Sequence, residues 1–139
     1  RGADGAPWQG ICALPAFWVG LLYDQTALDA AWDLVRDWTE EERQRLRNEA
    51  PRLGLKTPLR NGTLFDIAKQ ALAIARSGLK ARNKLNWEGA DETVFLRPLD
   101  HTIETGKTPA ERLLDLYHNE WTGDVSRVFS DYGMARHAA

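Results

Sequence analysis

The sequence lacks the features that define several classes of protein. It has one cysteine in 139 residues, so no internal disulfide can form and a disulfide-stapled domain is excluded. It has no uninterrupted apolar run of about 18 residues, and its longest apolar run, at 11–23, contains Pro15 and Gly20. We therefore predict neither a membrane span nor a membrane partner.

Neither positive nor negative charge dominates the sequence. The 18 basic and 20 acidic side chains leave a formal net charge of -2. Binding of nucleic acid through bulk charge needs a basic excess, so we predict no nucleic-acid partner. Hydrophobic residues at 43% and charged residues at 27% are typical of a folded globular chain. The length predicts a single domain-sized segment.

Helical signals follow one another along the chain, separated by Gly and Pro. Apolar residues recur at three- and four-residue steps, and no convincing alternation typical of a strand appears. The pattern predicts a mainly α segment, with no helical period at the start of 1–10, helices within 11–132 and a flexible tail at 133–139. The predicted helical ranges are 15–23, 26–38, 39–50, 64–81, 91–106 with a kink at Pro98, 108–123 and 125–132.

Helix starts are marked by capping residues. Thr39 with Glu42, and Thr108 with Glu111, have the spacing of a capping box, and Thr26 is a further candidate cap. Pro51 predicts the end of the third helix near residue 50. The string Asn61-Gly62-Thr63 matches a glycosylation sequon, but we interpret it as a turn followed by a helix cap.

Six tryptophans are many for this length. Trp18 and Trp32 fall on apolar stripes, and with Leu72 we predict them in the core. Trp8, Trp87 and Trp121 lie in or near predicted loops, where an indole either lines a ligand pocket or seals a helix end. We favour sealing for these three.

Few side chains show the spacing of a known catalytic motif. His101, His118 and His137 lie far apart, and we predict no metal site in this chain. Cys12 is predicted to be a buried structural thiol. None of the serines, Ser77, Ser126 and Ser130, sits in a nucleophile elbow.

A basic cluster lies at the end of the fourth predicted helix. Its members are Arg76, Lys80, Arg82 and Lys84. Cations at this position interact favourably with the helix dipole and with solvent, which is the interpretation that we favour. The alternative is a patch that binds an anion or RNA.

Several strings together resemble a known family. The first 24 residues read RGADGAPWQGICALPAFWVGLLYD, and Trp38-Thr39, the string GLKTP at 54–58, GKTPAERLL at 106–114, Glu120-Trp121 and Val128-Phe129 extend the similarity. The chain resembles the C-terminal part of the glutamate–cysteine ligases of plants and many proteobacteria. The opening at Arg1, without Met, fits a piece of a longer protein. Gln9-Gly10 departs from the family, whose members are often basic there.

The resemblance implies the fold and reaction of the whole enzyme. We expect the helical C-terminal portion of an α+β ligase whose curved antiparallel sheet lies mostly upstream, so apolar surface should be exposed here. The resemblance also implies that residues 1–10 are a strand stub and a loop. The family joins the γ-carboxylate of glutamate to the amine of cysteine through a γ-glutamyl phosphate, the first step of glutathione biosynthesis. ATP and Mg²⁺ are the implied cofactors of the whole enzyme, and neither is expected to bind this chain alone.

The resemblance also implies site residues. Arg1 matches the Arg of a Glu-x-Arg triplet and would contact the transferring phosphate, as a planar guanidinium suits. Asp4 and Trp8 are candidate substrate-binding residues, and the small residues around Asp4 allow the backbone to approach a ligand closely. The implied partners are the N-terminal part of the ligase and the substrates glutamate and cysteine.

Three hypotheses remain at this point. The first is a part of the ligase, inactive by itself and located in the cytoplasm, or in the plastid if the source is a plant. The second is a non-catalytic helical interaction module. The third is a helical domain that binds RNA or an anion through the cluster at 76–84.

Overall fold

The computed structural model describes residues 6–131, and helices make up most of them. The mainly α expectation is confirmed. The predicted strand stub and flexible tail fall largely on residues 1–5 and 132–139, outside the described part. The α-helices are α1 (Trp8–Leu22), α2 (Gln25–Val35), α3 (Glu40–Leu53), α4 (Leu64–Arg82), α5 (Arg97–Thr105), α6 (Pro109–Asp115) and α7 (Arg127–Asp131).

Short elements join these helices. A 3₁₀ turn at Gly54–Lys56 follows α3, a 3₁₀ helix at Glu92–Leu96 precedes α5, and a π-helical turn at Leu116–Glu120 extends α6. A small hairpin, which the sequence pattern did not indicate, pairs β1 (Pro58–Leu59) with β2 (Gly62–Thr63). Two-residue strands are too short to show alternation, which is why they were missed.

The hairpin turn confirms the interpretation of Asn61-Gly62-Thr63. Arg60 and Asn61 connect the two strands, and Arg60 has a left-handed φ of 51°. Thr63 then caps α4, with its backbone N–H donating to Oδ2 of Asp66 at 2.8 Å. The residues of the sequon therefore form a turn and the start of α4.

Helices α1 and α4 cross with their backbones in contact. A Cβ placed on Gly20 of α1 would lie 2.2 Å from the carbonyl oxygen of Ala75. A Cβ on Gly78 of α4 would lie 1.9 Å from the carbonyl oxygen of Gly20 and 2.9 Å from Cβ of Ala27 in α2. Glycine at both positions is thus what allows the three helices to meet.

The core lies beside this crossing. Its buried members are Ala16, Leu72, Leu79 and Leu96, supplied by α1, α4 and the 3₁₀ helix before α5. The prediction for Leu72 is confirmed. Partly buried apolar side chains pack around the cluster, namely Phe17, Val19, Leu99 and Ile103.

The tryptophans are placed differently from the prediction. Trp18 is 52% exposed and Trp32 is 62% exposed, so placing them in the core was wrong. For Trp18 the reason is the close helix crossing, which requires small residues such as Ala13, Ala16 and Gly20 on the buried face of α1. Helix α2, which carries Trp32, likewise buries a small residue, Ala27, at this crossing. Trp121 is 3% exposed and so fits the sealing prediction, whereas Trp87 is 93% exposed and seals nothing.

Two prolines lie inside helices, contrary to prediction. The first helix was predicted to start at Pro15, and the third was predicted to end before Pro51. Helix α1 begins at Trp8, well before Pro15, so the predicted loop at 1–10 is too long. Helix α3 continues through Pro51 to Leu53, and Gly54, whose φ is 55°, is its C-cap. A proline has no N–H, so the carbonyl group four residues before it has no helical hydrogen-bond partner. Both prolines lie on exposed faces, where water can bond to that carbonyl group.

The predicted capping boxes are confirmed at α3 and α6. The backbone N–H of Thr39 donates to Oε2 of Glu42 at 2.8 Å, and that of Thr108 donates to Oε2 of Glu111 at the same distance. The prediction for Thr26 was wrong, because Asp24 caps α2 by accepting from the backbone N–H of Ala27 at 2.9 Å.

Both capping glutamates also bind a cation from a distant segment. Nε of Arg60, in the hairpin turn, donates to Oε1 of Glu42 at 2.8 Å. Nζ of Lys56 lies 3.1 Å from Oε1 of Glu111. The bonds from Arg60 and from the backbone N–H of Thr39 lower the pKa of Glu42 to about 2. The bonds from the backbone N–H of Thr108 and from Lys56 lower the pKa of Glu111 to about 2. Each capping glutamate thus also links its helix to a distant segment of the chain.

The first prediction concerns the helix crossing. Gly78→Ala should lower the free energy of unfolding by about 1–3 kcal/mol, because the new Cβ would force α1 and α4 apart. In an unconstrained helix, replacing glycine by alanine stabilises the helix by about 0.5–1 kcal/mol, so a destabilising change at Gly78 would itself point to the close crossing. Denaturant titration measures the change, with Ser77→Ala on the exposed side of α4 as the control. A Gly78→Ala chain at least as stable as the wild type would contradict the close crossing.

The second prediction concerns acid stability. The pKa of Glu42 is lowered from its usual 4.5 to about 2, so its contribution is complete above pH 4.5 and is lost as the pH falls toward 2. Glu42→Gln should therefore be less stable than the wild type at neutral pH, and the difference should shrink across that range. Thermal unfolding at a series of pH values measures it, with Glu104→Gln as the control for loss of a surface carboxylate. A difference that stays constant from pH 7 to pH 2 would show that the carboxylate charge does not hold the hairpin turn.

Candidate functional site

Of the predicted site residues, only Trp8 falls in the part of the chain that the structure describes. Arg1 and Asp4 lie outside the described residues, so their roles stay predictions. Trp8 is the first residue of α1 and is 56% exposed. It lies in a helix rather than in a loop, and it does not seal a helix end by burial.

Trp8 lines a small open pocket. The pocket has a volume of about 220 Å³ and lies between the first turns of α1 and the junction of the 3₁₀ helix with α5. A cavity of this volume suits a group of amino-acid size and is too small for a nucleoside triphosphate. Its lining combines aromatic and apolar side chains with an amide, a thiol and a guanidinium: Trp8, Gln9, Cys12, Val94, Phe95, Arg97 and Pro98.

The electrostatics of the pocket favour an anionic group. Arg97 is exposed and forms no ion pair within residues 6–131. Its guanidinium offers a planar fork of donors that matches a carboxylate. The first turn of α1 has no acidic residue, and Pro7 gives it no side-chain cap. The N–H groups at that helix end add a partial positive charge.

Sequence reasoning did not single out Arg97. No local motif marks it, and only the packing of the 3₁₀ helix against α1 brings it beside Trp8. Cys12, predicted to be buried, is half-buried and lines the same pocket.

A second cavity has a different character. It is a trough of about 690 Å³ between α1, α4 and α5, and Thr102 is the one polar side chain in its lining. A triphosphate needs cations and hydrogen-bond donors around its charge, so this trough does not fit ATP. Between residues 6 and 131 no group of three or more His, Cys, Asp or Glu side chains is arranged to hold a metal ion.

Half of the basic cluster at the end of α4 forms ion pairs inside the fold. Arg76 forms an ion pair with Asp100 of α5. Nε of Arg82 donates to Oε2 of Glu92 at 3.0 Å, and the Arg82 guanidinium lies 5.3 Å from the ring centre of Tyr23. Two of the four cations thus tie α4 to its neighbours, which favours the structural interpretation over an RNA patch.

No single helix in the described range is long and apolar enough to cross a membrane. Helices α1 and α2 satisfy the criteria of length and composition only when taken together, and they are bent by 94° relative to each other.

Comparison with known proteins gives the family. The model of glutamate–cysteine ligase family 2 (GCS2) matches residues 1–131. The chloroplastic glutamate–cysteine ligases of Nicotiana tabacum and Arabidopsis thaliana are 49% and 50% identical to this chain over 131 residues. The chloroplastic ligase B of Oryza sativa subsp. japonica is 50% identical over the same length.

These alignments cover 94% of this chain but only 24% or 25% of each relative. The chain thus spans about a quarter of the length of the curated relatives that it matches. The family match extends over both the helices and the Trp8 pocket. The chain belongs to glutamate–cysteine ligase family 2.

Proposed function

We propose that this chain is the C-terminal part of a glutamate–cysteine ligase. The whole enzyme joins the γ-carboxylate of glutamate to the amine of cysteine, with ATP and Mg²⁺ as cofactors and a γ-glutamyl phosphate as intermediate. The observation that carries the proposal is the identity of about one half to ligases over 131 residues. The resemblance of the first 24 residues to the family supports it.

The proposal assigns the residues at the start of the chain to the substrate site. Arg1 contacts the transferring phosphoryl group, whose charge calls for a fixed cationic donor. Asp4 and Trp8 contact substrate. The pocket beside Trp8 supports this placement, because it offers an aromatic wall and the Arg97 fork for an amino-acid carboxylate.

The remaining ligands and the location follow from the same proposal. On this proposal the rest of the same ligase supplies the nucleotide site and the metal ligands. The relatives' names place them in the chloroplast. We expect a plastid location for this protein if its source is a plant, and the cytoplasm otherwise.

A graft tests the proposed function. This chain would replace the matching quarter of the tobacco ligase, and ATP-, Mg²⁺- and glutamate-dependent consumption of cysteine would be measured. We expect turnover by the graft and none by the 139-residue chain alone. The equivalent graft from the Arabidopsis ligase is the control for the exchange itself.

Two outcomes would contradict the proposal. Turnover by the isolated chain would show that the catalytic groups are not mostly elsewhere. A folded but inert graft, beside an active Arabidopsis graft, would favour the alternative of a non-catalytic interaction module. The exposed apolar side chains of α1 are the observation that supports this alternative.

The role of Arg1 gives a separate prediction. In the graft, Arg1→Lys should lower turnover by about 10²–10³-fold, because lysine offers a point charge in place of a planar fork of donors. The thermal midpoint should stay the same, and Arg43→Lys on α3 is the matched control. Normal turnover by the Arg1→Lys graft would remove Arg1 from the site. A lower midpoint with unchanged turnover per folded molecule would make Arg1 a structural residue.

A further inference from the structure

One half-buried arginine lacks the carboxylate partner that its counterparts have. In the part of the chain that the structure describes, three arginines are half-buried. Two of them are paired, Arg76 with Asp100 and Arg82 with Glu92. The third, Arg112 of α6, forms no ion pair among the described residues, and its Nε is buried without a hydrogen-bond partner. Withdrawing a guanidinium from water costs free energy unless an acceptor replaces the water.

The carboxylates nearest to Arg112 in sequence are already engaged. Glu111 caps α6 and binds Lys56. Asp115 forms an ion pair with Lys107. The fold therefore offers neither of these carboxylates as a counter-ion for the Arg112 guanidinium.

Arg112 lines an open cavity beside α6 and the π-helical turn that follows it. The cavity has a volume of about 370 Å³, and small-molecule sites in proteins have volumes of about 300–1,000 Å³. It shares no lining residue with the Trp8 pocket or with the apolar trough. Its lining is polar except for one leucine: Lys107, Arg112, Asp115, Leu116, Asn119 and Glu120.

Glu120 brings an unpaired charge of opposite sign to the same cavity. Its carboxylate forms no ion pair in the described range, and it does not pair with Arg112 although both residues line the cavity. Since Lys107 and Asp115 neutralise each other, the charges that remain are one guanidinium and one carboxylate. Two opposite charges that line one cavity without meeting are complementary to a ligand that carries both.

An unusual backbone segment supports the cavity. The backbone N–H of Trp121 donates to the carbonyl oxygen of Leu116 at 2.8 Å, which is the five-residue step of a π-helix. Such turns are rare and are frequently found at functional sites. Thr122 follows with a left-handed φ of 48°, which a β-branched residue rarely adopts. Trp121 is 3% exposed, so its buried indole holds the turn that carries Asn119 and Glu120.

We propose that this cavity binds a small zwitterion, an α-amino acid with a small side chain. The ligand's carboxylate pairs with the planar guanidinium of Arg112, and its ammonium pairs with Glu120. Asn119 can donate to the carboxylate and accept from the ammonium. Leu116 alone offers little area to a large apolar side chain. A simple anion would be repelled by Glu120, and a simple cation would be repelled by Arg112.

Titration of the 139-residue chain with L-alanine tests the site without any measurement of turnover. We expect saturable shifts of the amide NMR resonances of residues 107–120. The dissociation constant should be on the order of 1 mM, as for a small ligand held by a few charge-assisted hydrogen bonds. Propionate lacks the ammonium and ethylamine lacks the carboxylate, so each should bind at least about tenfold more weakly.

Two single substitutions remove one charge each from the cavity. Arg112→Gln and Glu120→Gln should each weaken the binding of L-alanine by about tenfold or more, because each removes one charged partner. Arg47→Gln on α3 and Glu104→Gln on α5 make the same changes at exposed positions and should leave binding unchanged. Should Arg112→Gln fail to fold, Glu120→Gln tests the site at an exposed position.

Thermal unfolding distinguishes an arginine that binds a ligand from one that stabilises the fold. Without ligand, Arg112→Gln should keep or raise the thermal midpoint, because it removes a half-buried charge that has no partner. Arg76→Gln should lower the midpoint, because it leaves Asp100 without its cation. L-alanine should raise the midpoint of the wild type but not that of Arg112→Gln.

Four results would overturn the proposal. L-alanine that causes no saturable shift would reject the site. Shifts that survive both Arg112→Gln and Glu120→Gln would place the binding elsewhere. Propionate that binds as tightly as L-alanine would make the cavity a simple anion site. A midpoint of Arg112→Gln as low as that of Arg76→Gln would make Arg112 a structural residue.

Discussion

The backbone contact between α1 and α4 determines the arrangement of the other elements. Gly20 and Gly78 lack the Cβ atoms that would hold the helices apart, so the two backbones meet and Ala27 brings α2 into the same crossing. The face of α1 at the crossing must be small, and its large side chains are turned to the remaining sides. Burial of small residues and exposure of tryptophans on one helix are thus two results of one packing constraint.

The segments around this pair are held by glutamates that cap helices and bind distant cations. Glu42 closes the start of α3 and binds Arg60 of the hairpin turn, while Glu111 closes the start of α6 and binds Lys56. A capping carboxylate is already fixed by its backbone bond, so little further entropy is lost when a cation joins it. These ties help to place the hairpin and α6, alongside the burial of Leu59 of β1.

Local signals predicted the helix starts at Thr39 and Thr108 but not the buried face of α1. The capping boxes at Thr39 and Thr108 depend on residues three apart, so the sequence alone was enough to identify them. The burial of α1 was not predictable in this way, because the helix is apolar on every side and periodicity cannot select a face. Trp18 was placed in the core for that reason. Arg97 reaches the Trp8 pocket only through packing of distant segments, and Arg1 and Asp4 stay predictions.

The charges of α6 show how the start of a helix can leave a neighbouring cation unpaired. Glu111 is engaged by the cap, and as the residue next to Arg112 it points to a different side of the helix. Asp115, three residues further on, has the spacing for a pair with Arg112 but binds Lys107 instead. An unpaired charge of this kind results from the whole set of contacts rather than from a local pattern. For the same reason the sequence marked neither Arg112 at this cavity nor Arg97 at the Trp8 pocket.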